Sequence, residues 1–330
     1  NAANIIDEVT MEDVMELREI SQRVYGYDPL LPFTGATDIK DEKWLIKLDW
    51  QIADTHNASL TWQYVDGTDL IDQGNSTRDG RLGLPSNYYN RGEEMTAISL
   101  RVFSDWSDNW HTEFKVAYKD VDNLQDPLGG TDFAQMEVAL ESGGAIRFGP
   151  DNFRHANFLL NENFQIKAKA DYYWGDHTFT FGYEYENVEI FNIFAPYSLG
   201  SYEFASMEDF ENQRADSLFM ANISDTGNVD DLAGEFESAI HSFYAQDRWD
   251  VRDNLTIQAG FRWDFYKSDD RPFRNENFKN RNGFYNDETM DGRDVFMPRI
   301  GFNWQPYDRT TIRGGIGLFS GGVPTGFLSN

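Results

Sequence analysis

Residues Ser242–Asp264 read SFYAQDRWDVRDNLTIQAGFRWD. In the second half Leu255, Ile257, Ala259, Phe261 and Trp263 are apolar or aromatic, while Thr256, Gln258, Gly260, Arg262 and Asp264 are polar or minimal. This is the period-two pattern of a strand with two unlike faces. The first half is another extended run, set off by Val251, Arg252, Asp253 and Asn254, a tetrapeptide suited to a short hairpin turn.

Four more hairpins share this form. Ile46, Leu48, Trp50 and Ile52 return as Ala58, Leu60, Trp62 and Tyr64. Ile98, Leu100 and Val102 return as Phe114, Val116 and Tyr118, and Phe164, Ile166, Ala168, Ala170 and Tyr172 return as Phe179, Phe181, Tyr183 and Tyr185. Ile300, Phe302 and Trp304 return as Ile312, Gly314, Ile316 and Leu318. The turn inside each hairpin is a few residues, but the connections between hairpins run to about 25 to 45 residues, far above the usual loop length. Short turns at one end and long loops at the other are the pattern of an outer-membrane β-barrel. The expected fold is all-β, an antiparallel up-and-down transmembrane barrel present in part, as about ten strands.

Composition agrees with this and excludes several alternatives. Aromatic residues make up 15% of the chain, which favours strands. The absence of cysteine excludes a disulfide scaffold, a Cys-ligated zinc site and a thiol nucleophile. With 56 acidic against 28 basic residues the net charge is -28, which argues against nucleic acid as a partner. No apolar run reaches the roughly 18 residues of a membrane helix. Mean hydropathy is -0.61, a value that still permits membrane strands, whose apolar residues occupy only alternate positions.

A barrel assigns the two faces to lipid and to a polar lumen, so mid-strand charges are permitted on one side only. Lys47, Arg101, Lys115, Lys167, Arg262, Arg299 and Arg313 all fall on the polar series and are the candidate lumen-facing residues. Asp49, Glu113, Asp171, Glu184 and Glu186 fall there too. These charges form either a permeation path or docking surface for an internal plug, or an ion-pair ladder that only keeps the wall wet. Trp50, Trp62, Trp106, Trp110, Trp174, Trp249 and Trp304 lie near short turns, as an interfacial aromatic girdle would. Asp247 is the exception, since it shares a face with Phe243, Ala245 and Trp249.

One helix is expected, over Thr10–Val24, with Thr10 as its cap and Gly26 and Pro29 ending it. A loop containing Pro32 and Gly35 follows. The chain thus divides into a helix-bearing extracellular loop, residues 1–41, and a barrel portion with long loops, residues 42–330.

No constellation for catalysis or a cofactor stands out. His56, His111, His155, His177 and His241 are not paired at metal-ligand spacing. The run RGGIGLFSGG from Arg313 to Gly322 fails the spacing of a phosphate loop, and its glycines suit lumen-side positions where another backbone comes close. Between Ser201 and Ser238, ten carboxylates face one base, Arg214. That segment is either a cation-binding surface loop or a solvated loop, and it lacks the EF-hand frame.

The hairpin at Ser242–Asp264, followed by MPRIGFNWQPYDRTTIRGGIGLFSGG, resembles the barrel of TonB-dependent outer-membrane receptors, and among them the Oar-like group. The segment EVTMEDVMELREISQRVYGYDP through DEKWLIKLDWQI is similar to a loop helix and following strand of that group. The resemblance implies a 22-stranded barrel of a Gram-negative outer membrane that imports a small molecule, glycan or peptide. It also implies lipid and lipopolysaccharide around the barrel, a plug inside it and the TonB complex beneath. The chain would then be an internal fragment, nonenzymatic and without a cofactor. Export or adhesion by an Oar-like protein is the alternative within the membrane, and a secreted glycan-binding β protein the alternative outside it.

Overall fold

A computed structural model describes residues 6–33 and 39–321. The part of the expected loop that holds Gly35, the end of the glycine run at Gly322 and the chain's last residues lie outside these. In chain order the elements are α1 (Met11–Ile20), β1 (Lys40–Ala53), β2 (His56–Ile71), β3 (Arg81–Gly83), β4 (Tyr89–Ser107), β5 (Trp110–Pro127), β6 (Gln135–Ala139), β7 (Ala145–Phe148), β8 (Asn157–Trp174), β9 (His177–Phe194), β10 (Ser201–Phe204), α2 (Met207–Glu211), β11 (Ser217–Phe219), β12 (Gly234–Arg252), β13 (Leu255–Lys267), α3 (Glu276–Asn282), β14 (Asp294–Tyr307) and β15 (Thr310–Gly317). The helix at the N-terminus is joined by two shorter ones that the sequence pattern did not show.

Ten strands form one antiparallel sheet in the order β1-β2-β4-β5-β8-β9-β12-β13-β14-β15. Each pairs with its sequence neighbour in the wall, and β1 and β15 form the edges. All five expected hairpins are present. The strand containing Leu318 is shorter than the pattern implied, ending at Gly317.

Register settles the faces, because residues directly opposite in an antiparallel ladder point the same way. One continuous row runs Leu48, Leu60, Leu100, Val116, Ile166, Tyr185, His241. The next offset row runs Ser59, Arg101, Lys115, Lys167, Glu184, Ser242, Asp264. One face is therefore an apolar belt and the other is charged across seven strands. On β5 the belt extends from Trp110 to Tyr118 and on β9 from His177 to Tyr185, close to the ~9–11 residues a tilted strand needs to cross a bilayer. The longest strands, β4 and β12, have 19 residues each, so they extend well beyond the belt on the long-loop side.

Along β2, Trp62 lies opposite Ile46, well up the hairpin from the turn at residues 54–55. Its ring stacks on Tyr64 with centroids 6.1 Å apart. Trp62 therefore belongs to the far rim of the belt, because alternation identifies a face but not a height. Trp106, Trp110, Trp174 and Trp249 do lie at the short-turn end.

The long connections do not wander. Residues from three of them build a second, five-stranded sheet of order β11-β10-β6-β7-β3, with parallel pairings between β10 and β6 and between β3 and β7. Against it packs α1, whose Thr10 cap forms a reciprocal capping box with Asp13. Val14, Leu17 and Ile20 join Met136, Val138, Ile146, Phe148, Phe204 and Phe210 in a buried core. The acidic segment beginning at Ser201 is thus ordered in good part: it contributes β10, α2 and β11, and buries Phe204 and Phe210.

Candidate functional site

All seven candidate residues stand on the charged face. Lys47 lies opposite Thr61, Arg101 opposite Lys115, and Lys115 opposite Lys167. Arg262 lies opposite Met297 and Arg299 opposite Gly317; Arg313 lies opposite Asn303. They are distributed around the wall, and only Arg101, Lys115 and Lys167 form a direct cross-strand series.

Three like charges side by side repel one another unless acids intervene. Glu113 supplies part of the compensation, 3.5 Å from Arg101 and 3.6 Å from Lys167. Lys115 makes no salt bridge among the described residues and reaches Gln165 Oε1 at 3.5 Å. Arg262 is more tightly held. It donates to Glu184 at 2.6 Å, to Asp264 at 2.8 Å and to Ser242 at 2.6 Å, with Ser242 and Asp264 both buried. Of the remaining candidates, Lys47 pairs with Asp49 at 2.9 Å, Arg299 donates to Gln246 at 3.0 Å and Arg313 donates to Asn303 at 3.1 Å. Lys47 with Asp49 is an ion pair of the ladder kind, whereas Arg299 and Arg313 bond to neutral side-chain amides. Around Lys115 the charges are less evenly matched, and a recess there is lined by Lys115, Gln165, Lys167, Glu184, Arg262 and Asp264.

The wall also makes room for an aromatic ring on this face. Tyr244 lies across Gly182 on the neighbouring strand, where an added Cβ would come within 2.0 Å of the ring. Any side chain at position 182 would displace Tyr244 from the charged surface.

Above the wall the structure adds an aromatic group that sequence reasoning missed. Phe194 ends β9 on the charged-face parity; Phe153 stacks on it at 6.5 Å and meets Tyr197 edge-on at 5.7 Å. Tyr197 in turn meets Phe219 at 4.6 Å. Tyr197 has φ of 63°, a conformation that non-glycine residues adopt only when surroundings enforce it. Phe153, Phe194 and Phe219 remain exposed. The runs FNIFAPY and SLFM carried the signal, but nothing local joins Phe153 to Phe219.

Buried polar contacts hold these loops in register. Gln135 accepts from Asn87 Nδ2 and from the Asn152 backbone N–H, and donates to Ser201 Oγ at 3.0 Å. His155 is buried between two loops. Its Nε2 donates to the Pro150 carbonyl at 3.2 Å, and its Nδ1 accepts from the Leu199 N–H at 3.1 Å. Burial pulls its pKa down to about 4, against the partial opposition of the Pro150 carbonyl. A neutral imidazole with one donor and one acceptor is what this position requires. The Tyr27 hydroxyl, which donates to the Gly129 carbonyl, is pushed up to about 12 by burial.

Asp247, the residue that broke the alternation, does lie on the apolar face. It accepts from His177 Nδ1 at 2.8 Å, beside Trp249 and near the short turns. A hydrogen-bonded pair at the polar rim is tolerable where an isolated mid-belt carboxylate is not.

Among the described residues no group of His, Asp or Glu is arranged to hold a metal ion, and no helix is long and apolar enough to cross a membrane. The second statement has no bearing on strands.

No curated protein matches the chain in sequence. Solved structures share its fold. The outer membrane transporter YddB from Escherichia coli superposes with a TM-score of 0.57 at 14% identity, covering 87% of this chain and 32% of that one. The siderophore receptor PirA from Acinetobacter baumannii gives 0.50 at 13% identity over 88% and 36%. The copper transporter OprC gives 0.50 at 14% identity over 84% and 37%. The chain therefore spans about a third of the length of these structures. A family model described as an outer membrane beta barrel domain matches residues 30–329.

Proposed function

The chain belongs to the outer membrane beta barrel domain family, and from that premise we propose that it is a sector of a TonB-dependent transporter. Its place is the outer membrane, and the secreted, glycan-binding alternative falls with the family match. In this reading residues 42–330 form part of the barrel and residues 1–41 an extracellular loop. The aromatic group Phe153, Phe194, Tyr197 and Phe219 meets the ligand first. Lys115 and its neighbours on the lumen wall meet either the ligand or an internal plug next. The protein acts by capture and passage, with no chemical step, and the TonB complex of a Gram-negative cell supplies the energy. The carrying observation is the division of one sheet into an apolar belt, with the Asp247–His177 pair at its rim, and a charged face. An Oar-like role in export or adhesion would use the same wall with its outer loops as the working surface.

The chain's lack of cysteine permits a direct test by single-cysteine labelling in the full-length protein, with any cysteines elsewhere replaced. Lys115→Cys and Lys167→Cys should react with a hydrophilic maleimide added to intact outer membranes, and depletion of TonB should change their rate. Ala170→Cys, on the belt, should react only with a lipid-soluble reagent. Equal labelling of the two classes by the hydrophilic reagent would remove the face assignment. Labelling of Lys115→Cys that ignores TonB would remove the transport reading while leaving the barrel.

A further inference from the structure

The apolar row at the heart of the loop layer does not end under cover. Phe148, Met136, Tyr202 and Leu218 stand opposite one another on β7, β6, β10 and β11, and residues in register share a face. Exposure climbs along the row, from 0% at Phe148 and 6% at Met136 to 51% at Leu218. The core that α1 closes takes in Tyr202 only at its margin, and β11 is an open edge of the small sheet. Just beyond that strand Met220 and Ile223 are 45% and 60% exposed. A core row that runs out into water is short of an apolar cover. Its rim indicates the charge of that cover. Asp216 directly precedes β11 and Asp225 follows Ile223 closely; both are exposed and neither makes a salt bridge among the described residues. Arg214, the one base of the segment, is taken up by Asp209 at 2.9 Å.

A surface of the opposite kind stands on the same molecule. Between β13 and β14 the stretch RPFRNENFKNRNGF, residues 271–284, has four bases against one acid in a chain of net charge -28. Phe273, with Arg271 and Arg274 on either side of it in the chain, is 94% exposed. The loop is ordered by contacts with itself. Arg274 pairs with Asp287 at 2.8 Å and lies over Tyr285 at 4.1 Å, and Phe278 meets Phe284 at 5.5 Å. Arg271 and Arg281 make no salt bridge among the described residues. Nor does any described hydrogen bond, salt bridge or ring contact join residues 271–284 to the acidic segment, although β12 lies directly between β9 and β13 in the wall.

We propose that a second copy of this chain covers the row. Phe273 of one copy seats against Leu218, Met220 and Ile223 of the other, while Arg271 and Arg281 of the first meet Asp216 and Asp225 of the second. Charge complementarity of this kind fixes partner and register. Two copies in one membrane share an orientation, so a two-fold axis relating them runs along the membrane normal. Adjacent complementary loops meet twice about such an axis, and the pair closes. Phe219 stays with Tyr197 at the mouth, so the interface leaves the proposed ligand path open. The inference rests on the outer-membrane reading and adds a partner to it.

The test uses the full-length protein, with any cysteines elsewhere replaced, in two differently tagged copies expressed together. Recovery in outer-membrane fractions is checked first, and its absence for the wild type would sink the membrane reading and this inference with it. Leu218→Cys in one copy and Phe273→Cys in the other should form a disulfide-linked mixed dimer on oxidation, since the second of the two contacts keeps its native side chains. Adding R271E/R281E to both copies should cut the mixed dimer by about tenfold. D216K/D225K should do the same, and the two reversals together should restore it. Both cysteines in a single copy should again give the dimer; a monomer with an internal disulfide would show that the loops close on each other within one chain and would overturn the second copy. So would the absence of a mixed dimer from variants that reach the outer membrane, or a mixed dimer indifferent to the charge reversals.

Discussion

Leu48 in the wall is 60% exposed, and Leu17 in the loop layer is fully buried. The wall buries little apolar surface within the chain, since its belt from β1 to β15 is left exposed; in the proposed reading it gains its stability from lipid and from the remainder of a barrel. The loop layer has a conventional core, in which α1 and the small sheet exclude water for themselves. Two solvents thus act on one chain, and a substitution should damage only the region whose solvent it offends.

The largest expected effect is in the loop layer. Phe148 is fully buried, 5.6 Å from the Phe210 ring and 6.4 Å from that of Tyr27. Phe148→Ala should cost about 3–5 kcal/mol of local stability. Proteolysis should then cut the loops while the wall strands stay protected and the protein still reaches the outer membrane. Loss of assembly would show that the layer and the wall fold as one unit and would end the comparison.

The second effect is in the wall. Phe181→Arg or Phe261→Arg places a cation in the apolar belt at a cost of about 2–4 kcal/mol near mid-membrane. Outer-membrane assembly should fall sharply, whereas Gln165→Ala and Gln258→Ala, on the charged face, should leave it nearly unchanged. Similar losses from both pairs would mean that the two faces do not meet different solvents.

The same contrast explains what the sequence made legible. Wall strands announce themselves because alternation needs only neighbours in the chain, and parity alone placed Lys115 with Lys167 and Arg262 on one face. Parity does not identify cross-strand partners, so the roles of Glu113 and Glu184 depended on register. It also does not give height, which is why Trp62 was placed at the wrong rim. In the loop layer β3 and β11 have three residues each, and two of the four pairings are parallel. No periodicity can emerge over such lengths, and contacts such as Arg23 with Glu211 join residues far apart in sequence. Only α1 was readable there, because its capping signal is local.

A smaller effect separates the regions by pH. His155 bridges two loops as a neutral imidazole, with its pKa lowered from 6.5 to about 4. Above pH 6.5 the closed and opened loops are both neutral here, and the contribution of this site is fully present. As pH falls toward 4, the opened state takes up a proton that the closed state refuses, so stability is lost through that window and levels off below it. A shift of this size corresponds to about 3 kcal/mol as an upper figure. Asp151, raised by its own burial with Arg154 opposing, acts in the opposite sense, because its closed form holds a proton more readily than its opened form. The difference between wild type and His155→Gln therefore isolates the histidine. The protection factor of the Leu199 amide, taken against the intrinsic exchange rate at each pH, should fall from pH 6.5 to pH 4 in the wild type and change less in the variant, while those of β4 and β5 amides respond equally in both. If the wall amides followed His155 as well, the loop layer would be coupled to the barrel through Pro150 and Leu199, and the two regions would share one stability.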